Sequence, residues 1–162
     1  MTSNANGWPG YCPIKPDGMH VDTETFCAAP YPAYADGTIS VQAKQIKGST
    51  LQGYAVIYRL DESTVSWYAF LIDGNGKWRA FKVTNGQATF FEPFTANAAI
   101  HKGIGATNTL SVQVKGSHFD YFVNGTKVGQ ANDSSLTTGE GGVFGGIGIE
   151  VVYTNFSIIP AS

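Results

Sequence analysis

The sequence predicts an all-β protein, a sandwich or barrel of about ten short strands. Three observations carry that prediction. Apolar residues recur with period two in one short run after another, and no long stretch has the 3.6-residue period of an amphipathic helix. Turn signals separate the runs every eight to twelve residues or so. The composition agrees: 20 glycines, 13% aromatic and only 14% charged residues in 162. That length suits one domain with a real core. No linker, repeat or low-complexity tract divides it, so residues 1–162 read as a single domain.

Taken in order, residues 1–36 are punctuated by Pro, Gly and Asp. They read as an irregular lead-in with one short strand near Met19–Val21. The only two cysteines, Cys12 and Cys27, bracket "CPIKPDGMHVDTETFC" in this segment. A disulfide between them would pin a loose end and contribute about 3 kcal/mol by loop closure; two unpaired thiols are the alternative. Disulfides persist in oxidising compartments, which points to an extracellular or cell-surface location. Met1-Thr2-Ser3-Asn4 lacks the basic start and apolar run of a signal peptide. The chain therefore reads as a cytosolic protein or a mature domain cut from a longer precursor, and the cysteines favour the second.

Regular strands follow. "TISVQAKQI" (38–46) alternates Ile39, Val41 and Ala43 with polar residues. "GYAVIYRL" (53–60) and "SWYAFLID" (66–73) pair across a short polar loop, and "GKWRAFKV" (76–83) follows the tight turn "DGNG". "GQATFFEPF" (86–94) is a strand broken by Pro93. "NTLSVQVKG" (108–116) alternates again. "HFDYFVNGTKVGQ" (118–130) is a hairpin turning at Asn124-Gly125, the strongest short-range hairpin signal in the chain. "GGVFGGIGIE" (141–150) and "VVYTNFSII" (151–159) complete the set.

Several function classes are disfavoured. The net charge is −2 with scattered basic residues, which does not suit nucleic acid, whose binders carry a basic patch. No run approaches the ~18 apolar residues of a membrane span. His20, His101 and His118 lie far apart without zinc-ligand spacing. There is no G-x-S-x-G or P-loop. A sandwich glycosidase needs two carboxylates flanking the scissile bond, about 5–5.5 or 6.5–9.5 Å apart. The acidic residues of the probable strands, Glu92, Asp120 and Glu150, each stand alone, so a catalytic pair would have to come from separate strands.

The order "GYAVIYR", "WYAFLIDGNGKW", "NTLSVQVKGSHFDYFVNGTKV", "ND", a glycine-rich strand and "VVYTNFSI" resembles the concanavalin A-like lectin/glucanase superfamily. It looks most similar to the laminin-G-like and 3-keto-disaccharide-hydrolase-like domains of bacterial extracytoplasmic proteins. The resemblance spans about residues 6–159, and N-x-L-x-V…F-x-Y-x-V-N-G is its most specific part. It implies a two-sheet antiparallel jelly-roll sandwich with one concave outer face where family members bind sugars. Some members are glycosidases whose acidic residues follow Glu-x-Asp-x-x-Glu, a pattern absent here. Many carry calcium, and their last strand often reads Phe-Asp-Asn-Phe. Here it is Tyr153-Thr154-Asn155-Phe156, so the carboxylate the family would supply is Thr154; no cofactor is expected, and a structural calcium ion would have to be built from backbone carbonyls near the N terminus.

Pairing 53–60 with 66–72 sorts the side chains into two faces, because directly opposed residues share a face. Tyr54, Val56, Tyr58, Tyr68, Phe70 and Ile72 form a bulky face suited to the core. Ala55, Ile57, Arg59, Trp67, Ala69 and Leu71 form the other, with Arg59 opposite Trp67. In the next strand, one register sends Trp78, Ala80 and Lys82 to that second face. The other sends Arg79 and Phe81, and it is preferred because it avoids burying Arg79. Trp78 then stays as a candidate rim residue. An indole beside a guanidinium suits sugar binding, since pyranose faces stack on aromatic rings and Arg donates a rigid fork. Alternatively, a loop or the N-terminal arm covers Trp67 and Arg59 stacks on it. The candidate ligand-binding set is Arg59, Trp67, Trp78, Arg79, Phe81 and Glu92, with no catalytic or metal-binding residue. The expected function is a non-catalytic carbohydrate-binding module on the concave sheet face, part of a larger multidomain protein. A glycoside hydrolase with carboxylates from separate strands and a laminin-G-like sensor or adhesion domain are the alternatives.

Overall fold

Along Gly37–Lys47 burial alternates residue by residue, with Ile39, Val41, Ala43 and Gln45 inward, as a strand with one face on a core requires. Thr107–Lys115 and His118–Val123 show the same alternation. In the computed structural model, which describes residues 3–161, these segments belong to an all-β fold. Met1, Thr2 and Ser162, at the ends of the expected domain, lie outside the described residues. The strands are β1 Ile14–Lys15, β2 Gly18–Val21, β3 Thr25–Ala28, β4 Gly37–Lys47, β5 Gly53–Asp61, β6 Ser66–Asp73 and β7 Lys77–Thr84. They continue with β8 Gln87–Phe90, β9 Thr95–Ala96, β10 Thr107–Lys115, β11 His118–Val123, β12 Thr126–Asn132, β13 Glu140–Gly145 and β14 Glu150–Pro160.

One sheet runs β1-β2-β14-β4-β10-β11-β12, the other β3-β13-β5-β6-β7-β8, with β9 also paired to β7. Every pairing is antiparallel. Neither sheet closes on itself, so the architecture is a jelly-roll sandwich rather than a barrel. The β11–β12 turn is Asn124-Gly125, both at positive φ (52° and 82°), the geometry that makes Asn-Gly the favoured two-residue hairpin turn. Asn124 also works as a tie: its amide donates to the Ala99 carbonyl and to Asn108, and its oxygen accepts from Thr109 N–H.

The core lies between the sheets. Tyr54, Val56 and Tyr58 of β5 and Tyr68, Phe70 and Ile72 of β6 all point into it, as the bulky face was expected to. They meet Phe119 and Tyr121 of β11. The Tyr58 and Tyr121 hydroxyls are 2.7 Å apart, and the Phe70 and Tyr121 rings stack at 4.8 Å. Such ring contacts are worth about 0.5–1.5 kcal/mol beyond their buried area.

The N-terminal lead-in is more ordered than its composition suggests. The Cys12–Cys27 disulfide is formed. Besides the expected Met19–Val21 region, Ile14–Lys15 and Thr25–Ala28 are strands. They are short edge additions whose order comes from backbone pairing with β2 and β13, so no side-chain alternation announces them.

Two site expectations are corrected by the backbone. Tyr58 pairs with Tyr68 and Asp61 with Ser66, so Arg59 and Leu60 together oppose Trp67. This is a β-bulge, with Arg59 at φ 51°. Leu60 takes the outward place expected of Arg59 and packs with Ala55, Ile57, Ala69 and Leu71. Arg59 instead lies buried (2% exposed) beside Phe119. The bulge backbone sits so close to Gly139 that a Cβ there would come within 2.3 Å of the Arg59 carbonyl carbon. Trp78 is the second correction. It pairs with Ile72 and faces the core, 6.0 Å from both Phe70 and Tyr121, where Gly129 leaves room for its six-membered ring.

Candidate functional site

The outward face of the β3-β13-β5-β6-β7-β8 sheet is built from two side-chain rows. Across the strands, Phe26 pairs with Phe144, then Ala55, Leu71 and Arg79. One row along, Ala28 leads to Gly142, Ile57, Ala69, Phe81 and Phe90. Small residues in the middle strands sit beneath large ones from the flanks. Ala55, Ile57 and Ala69 are fully buried although they point away from the core, because Phe26, Trp67, Phe81 and Phe144 overhang them. Phe26 and Trp67 illustrate the geometry. Two strands separate them, about 14 Å in a flat sheet at ~4.8 Å per strand, yet their ring centroids are 5.4 Å apart. Gly142, Ala55 and Ala69 lie between them, and their short side chains leave space for the rings to lean together.

Trp67 is thus half-buried, with one flank against Phe26. Phe26 belongs to the disulfide-closed lead-in, so part of the expected N-terminal cover exists, supplied by one ring.

Where Arg79 lies, the face opens into a cleft of about 290 Å³. Its rim carries Leu51, Ile147, Phe90 and Phe94, which are 72, 61, 49 and 40% exposed. An exposed apolar cluster of this kind marks interaction sites on soluble proteins. The Arg79 guanidinium carbon is 3.6 Å from the Phe90 ring centroid and 4.5 Å from that of Phe94, close enough for strong cation–π attraction. Its Nε is buried without a hydrogen-bond partner. No ion pair to Arg79 occurs among the described residues. Burial lowers its pKa from the ordinary arginine value, the signature of a charge without a counter-charge.

The sequence-derived candidates therefore divide. Trp67, Arg79 and Phe81 share the outward face in the preferred register. Arg59 and Trp78 are inside. Glu92 is half-buried in the 91–94 segment after β8 and does not line the cleft. Sequence reasoning missed Phe26, Phe144, Leu51 and Ile147, which come to the face from three separate parts of the chain. The strand broken at Pro93 pointed to at least one of Phe90, Phe91 and Phe94 at a rim; Phe90 and Phe94 lie there, and Phe91 packs against the core.

Carboxylates elsewhere are engaged. Asp120 binds Lys127 (2.8 Å) and His118 (2.9 Å). Asp133 accepts from Tyr68 hydroxyl (2.6 Å), Lys82 (2.8 Å) and Ser135 N–H (2.8 Å). Burial opposes that carboxylate, but these donors outweigh it and hold its pKa well below the usual range. Glu150 lies on the other sheet, 2.6 Å from His20. Glu62 and Glu140 form an unforeseen pair lining a cleft of about 200 Å³. Burial, then the charge of Glu62 and a hydrogen bond with it, raise the Glu140 pKa. At the calcium-associated strand, Thr154 and Asn155 both hydrogen-bond Gln42. These donors are all neutral, which does not fit a calcium site. Among the described residues no His/Cys/Asp/Glu cluster could hold a metal, and no helix is long and apolar enough to cross a membrane.

No family model and no curated protein matches this chain. Solved structures do. The carbohydrate-binding module CBM66 from Bacillus subtilis aligns with a TM-score of 0.79 at 20% identity, over 96% of each chain. The fold they share with this chain is the two-sheet sandwich that the resemblance to the concanavalin A-like lectin/glucanase superfamily implied. A native glycosidic hydrolase aligns at 0.70 with 14% identity, over 98% of this chain and 92% of its own. Sheep galectin-11, in complex with glycerol, aligns at 0.59 with 12% identity, over 86% and 99%. At these identities the likeness extends to the fold, which hosts both binding and hydrolysis.

Proposed function

We propose that this domain is a non-catalytic carbohydrate-binding module of a larger extracellular or cell-surface protein, holding a poly- or oligosaccharide on the outward face that bears Trp67, Arg79 and Phe81. The observation that carries the reading is the aromatic layer itself. The sandwich core is complete between the sheets, yet a second apolar layer faces outward around a cleft. Aromatic planes beside a polar fork suit the apolar faces and hydroxyls of sugar rings. The names of the structural neighbours, a carbohydrate-binding module and a galectin among them, support it. A disulfide suits an oxidising location.

Affinity gel electrophoresis over a panel of neutral and acidic polysaccharides tests it. At least one polymer should retard the wild type, with retardation weakened about tenfold or more in Trp67→Ala or Phe81→Ala, the loss of one stacking platform. Equal retardation of both variants on every binding polymer would remove the site. Reducing ends released from a bound polymer, and abolished by Glu140→Gln, would make the protein a hydrolase.

A further inference from the structure

We propose that the saccharide taken by this face is acidic, its carboxylate bound by the Arg79 guanidinium while the sugar ring rests on the neighbouring aromatic side chains. This rests on the carbohydrate-binding reading above and names the ligand class for the same site.

The first argument is the contrast between Arg79 and three other cations withdrawn from water. Arg59 has Asp36 and two backbone carbonyls, Lys82 has Asp133, and His20 has Asp17 and Glu150. A charge withdrawn from water is normally compensated in this way. Arg79 is withdrawn from water by Phe90 and Phe94 and has no counter-charge among the described residues. The rings hold the guanidinium plane, which limits the freedom lost when its N–H edge engages a planar, bidentate acceptor.

The second argument is the cleft's hydrogen-bonding inventory. Glu24, Gln52 and Arg79 supply its polar side chains; the other lining residues are apolar or glycine. Neutral sugars present hydroxyls, which need acceptors as well as donors, and acceptors are scarce beside Arg79. A carboxylate needs donors alone. Glu24, just before β3, is the one carboxylate lining the cleft; it comes from the opposite side of the sheet order to β7 and makes no ion pair with Arg79 among the described residues. Lys77, exposed and two residues before Arg79 in β7, has the same strand parity and so adds positive charge on this side.

Polygalacturonate, alginate and hyaluronan, each against its carboxyl-reduced neutral form, and a set of neutral β-glucan, xylan and fructan polymers, provide the probes. Binding is measured by titration calorimetry and affinity gels on wild type, Arg79→Gln and Arg79→Lys. The expected result is tighter binding of at least one acidic polymer than of its reduced form. Arg79→Gln should weaken it about tenfold or more, the loss of charge-assisted hydrogen bonds, with partial retention in Arg79→Lys and weakening as salt rises. Unchanged melting of Arg79→Gln separates lost binding from lost fold. Equal binding of acidic and reduced forms, binding to neutral polymers alone, or acidic binding indifferent to Arg79→Gln would each overturn the acidic-ligand inference and leave the carbohydrate reading standing. No binding to any polymer would overturn both.

Discussion

Arg59 and Arg79 stand in strands of one sheet with β6 between them, and their surroundings are opposite. Arg59 is closed in at one end of the sandwich. Its Nε and Nη2 donate to the Ala35 carbonyl, Nη1 to the Leu136 carbonyl, and Nη2 to Asp36. It ties two loops to β5. Arg79 touches two half-exposed rings and satisfies nothing else among the described residues. The difference separates an arginine whose partners are supplied by its own chain from one whose geometry is prepared and whose partner is missing. Residue type and burial alone would not distinguish them; the inventory of partners does.

The largest effect that would break this contrast concerns stability. Arg59→Met should cost about 3–5 kcal/mol in denaturant unfolding, because the charge-assisted hydrogen bonds that tie the Ala35 and Leu136 carbonyls and Asp36 to β5 are all lost. A cost below 1 kcal/mol would mean that the clamp is dispensable. Next comes the Cys12–Cys27 bridge. Its removal by Cys12→Ala with Cys27→Ala should cost about 3 kcal/mol. Because Phe26 adjoins Cys27, Trp67 fluorescence should also shift as its covering ring loosens, whereas an unchanged spectrum would show that β3 holds Phe26 without the bridge.

A smaller, pH-dependent effect belongs to His20, a cation with saturated partners on the other sheet. Burial opposes its charge, but the hydrogen bonds to Asp17 and Glu150 outweigh it and raise its pKa. A raised folded-state pKa contributes stability that is present below the unfolded value of about 6.5 and lost as pH rises through the folded value. Asp17 and Glu150 are lowered, chiefly by their hydrogen bonds to His20, and their contribution is lost as pH falls through those values. The melting difference between wild type and His20→Gln should therefore peak near pH 5–6 or so and shrink by about pH 9; a difference growing with pH would refute the pairing. The smallest effect is expected of Arg79→Gln, within about 1 kcal/mol of wild type, the scale of an exposed cation–π contact. A loss comparable to that of Arg59→Met would make Arg79 a structural residue too.

Much of this was readable from residues alone, for reasons that differ along the chain. Most strands from Ile39 to Ile159 were visible because a buried face stamps period two on the sequence; Gln87–Phe90 and Thr95–Ala96 are exposed throughout, and the second of these was not foreseen. The register of β7 was decided by one energetic choice, that Arg79 would not be buried in the core, and that placed Phe81 correctly. Arg59 was misplaced because a bulge is a backbone event. Neither Arg59 nor Val65 is a glycine or asparagine, yet both take positive φ, so composition carries no warning. The cleft was only half legible because its rim joins Leu51, Phe94 and Ile147 from distant segments. The Glu62–Glu140 pair was invisible for the same reason: the two residues are brought together by β13 pairing with β5.

The bulge has a consequence for chain length. Pairing is regular up to Tyr58↔Tyr68 and resumes at Asp61↔Ser66, so β5 absorbs one surplus residue at this point and shifts its own inward–outward phase by one beyond it, while β6 keeps its phase throughout. A relative one residue shorter here would keep the inward tyrosines and the outward Trp67 in place while losing the arginine that moors the 35–36 and 134–138 loops. Insertions and deletions at this position are thus decoupled from the ligand face and coupled to the end of the sandwich, which makes hairpin length a marker of how firmly that end is tied.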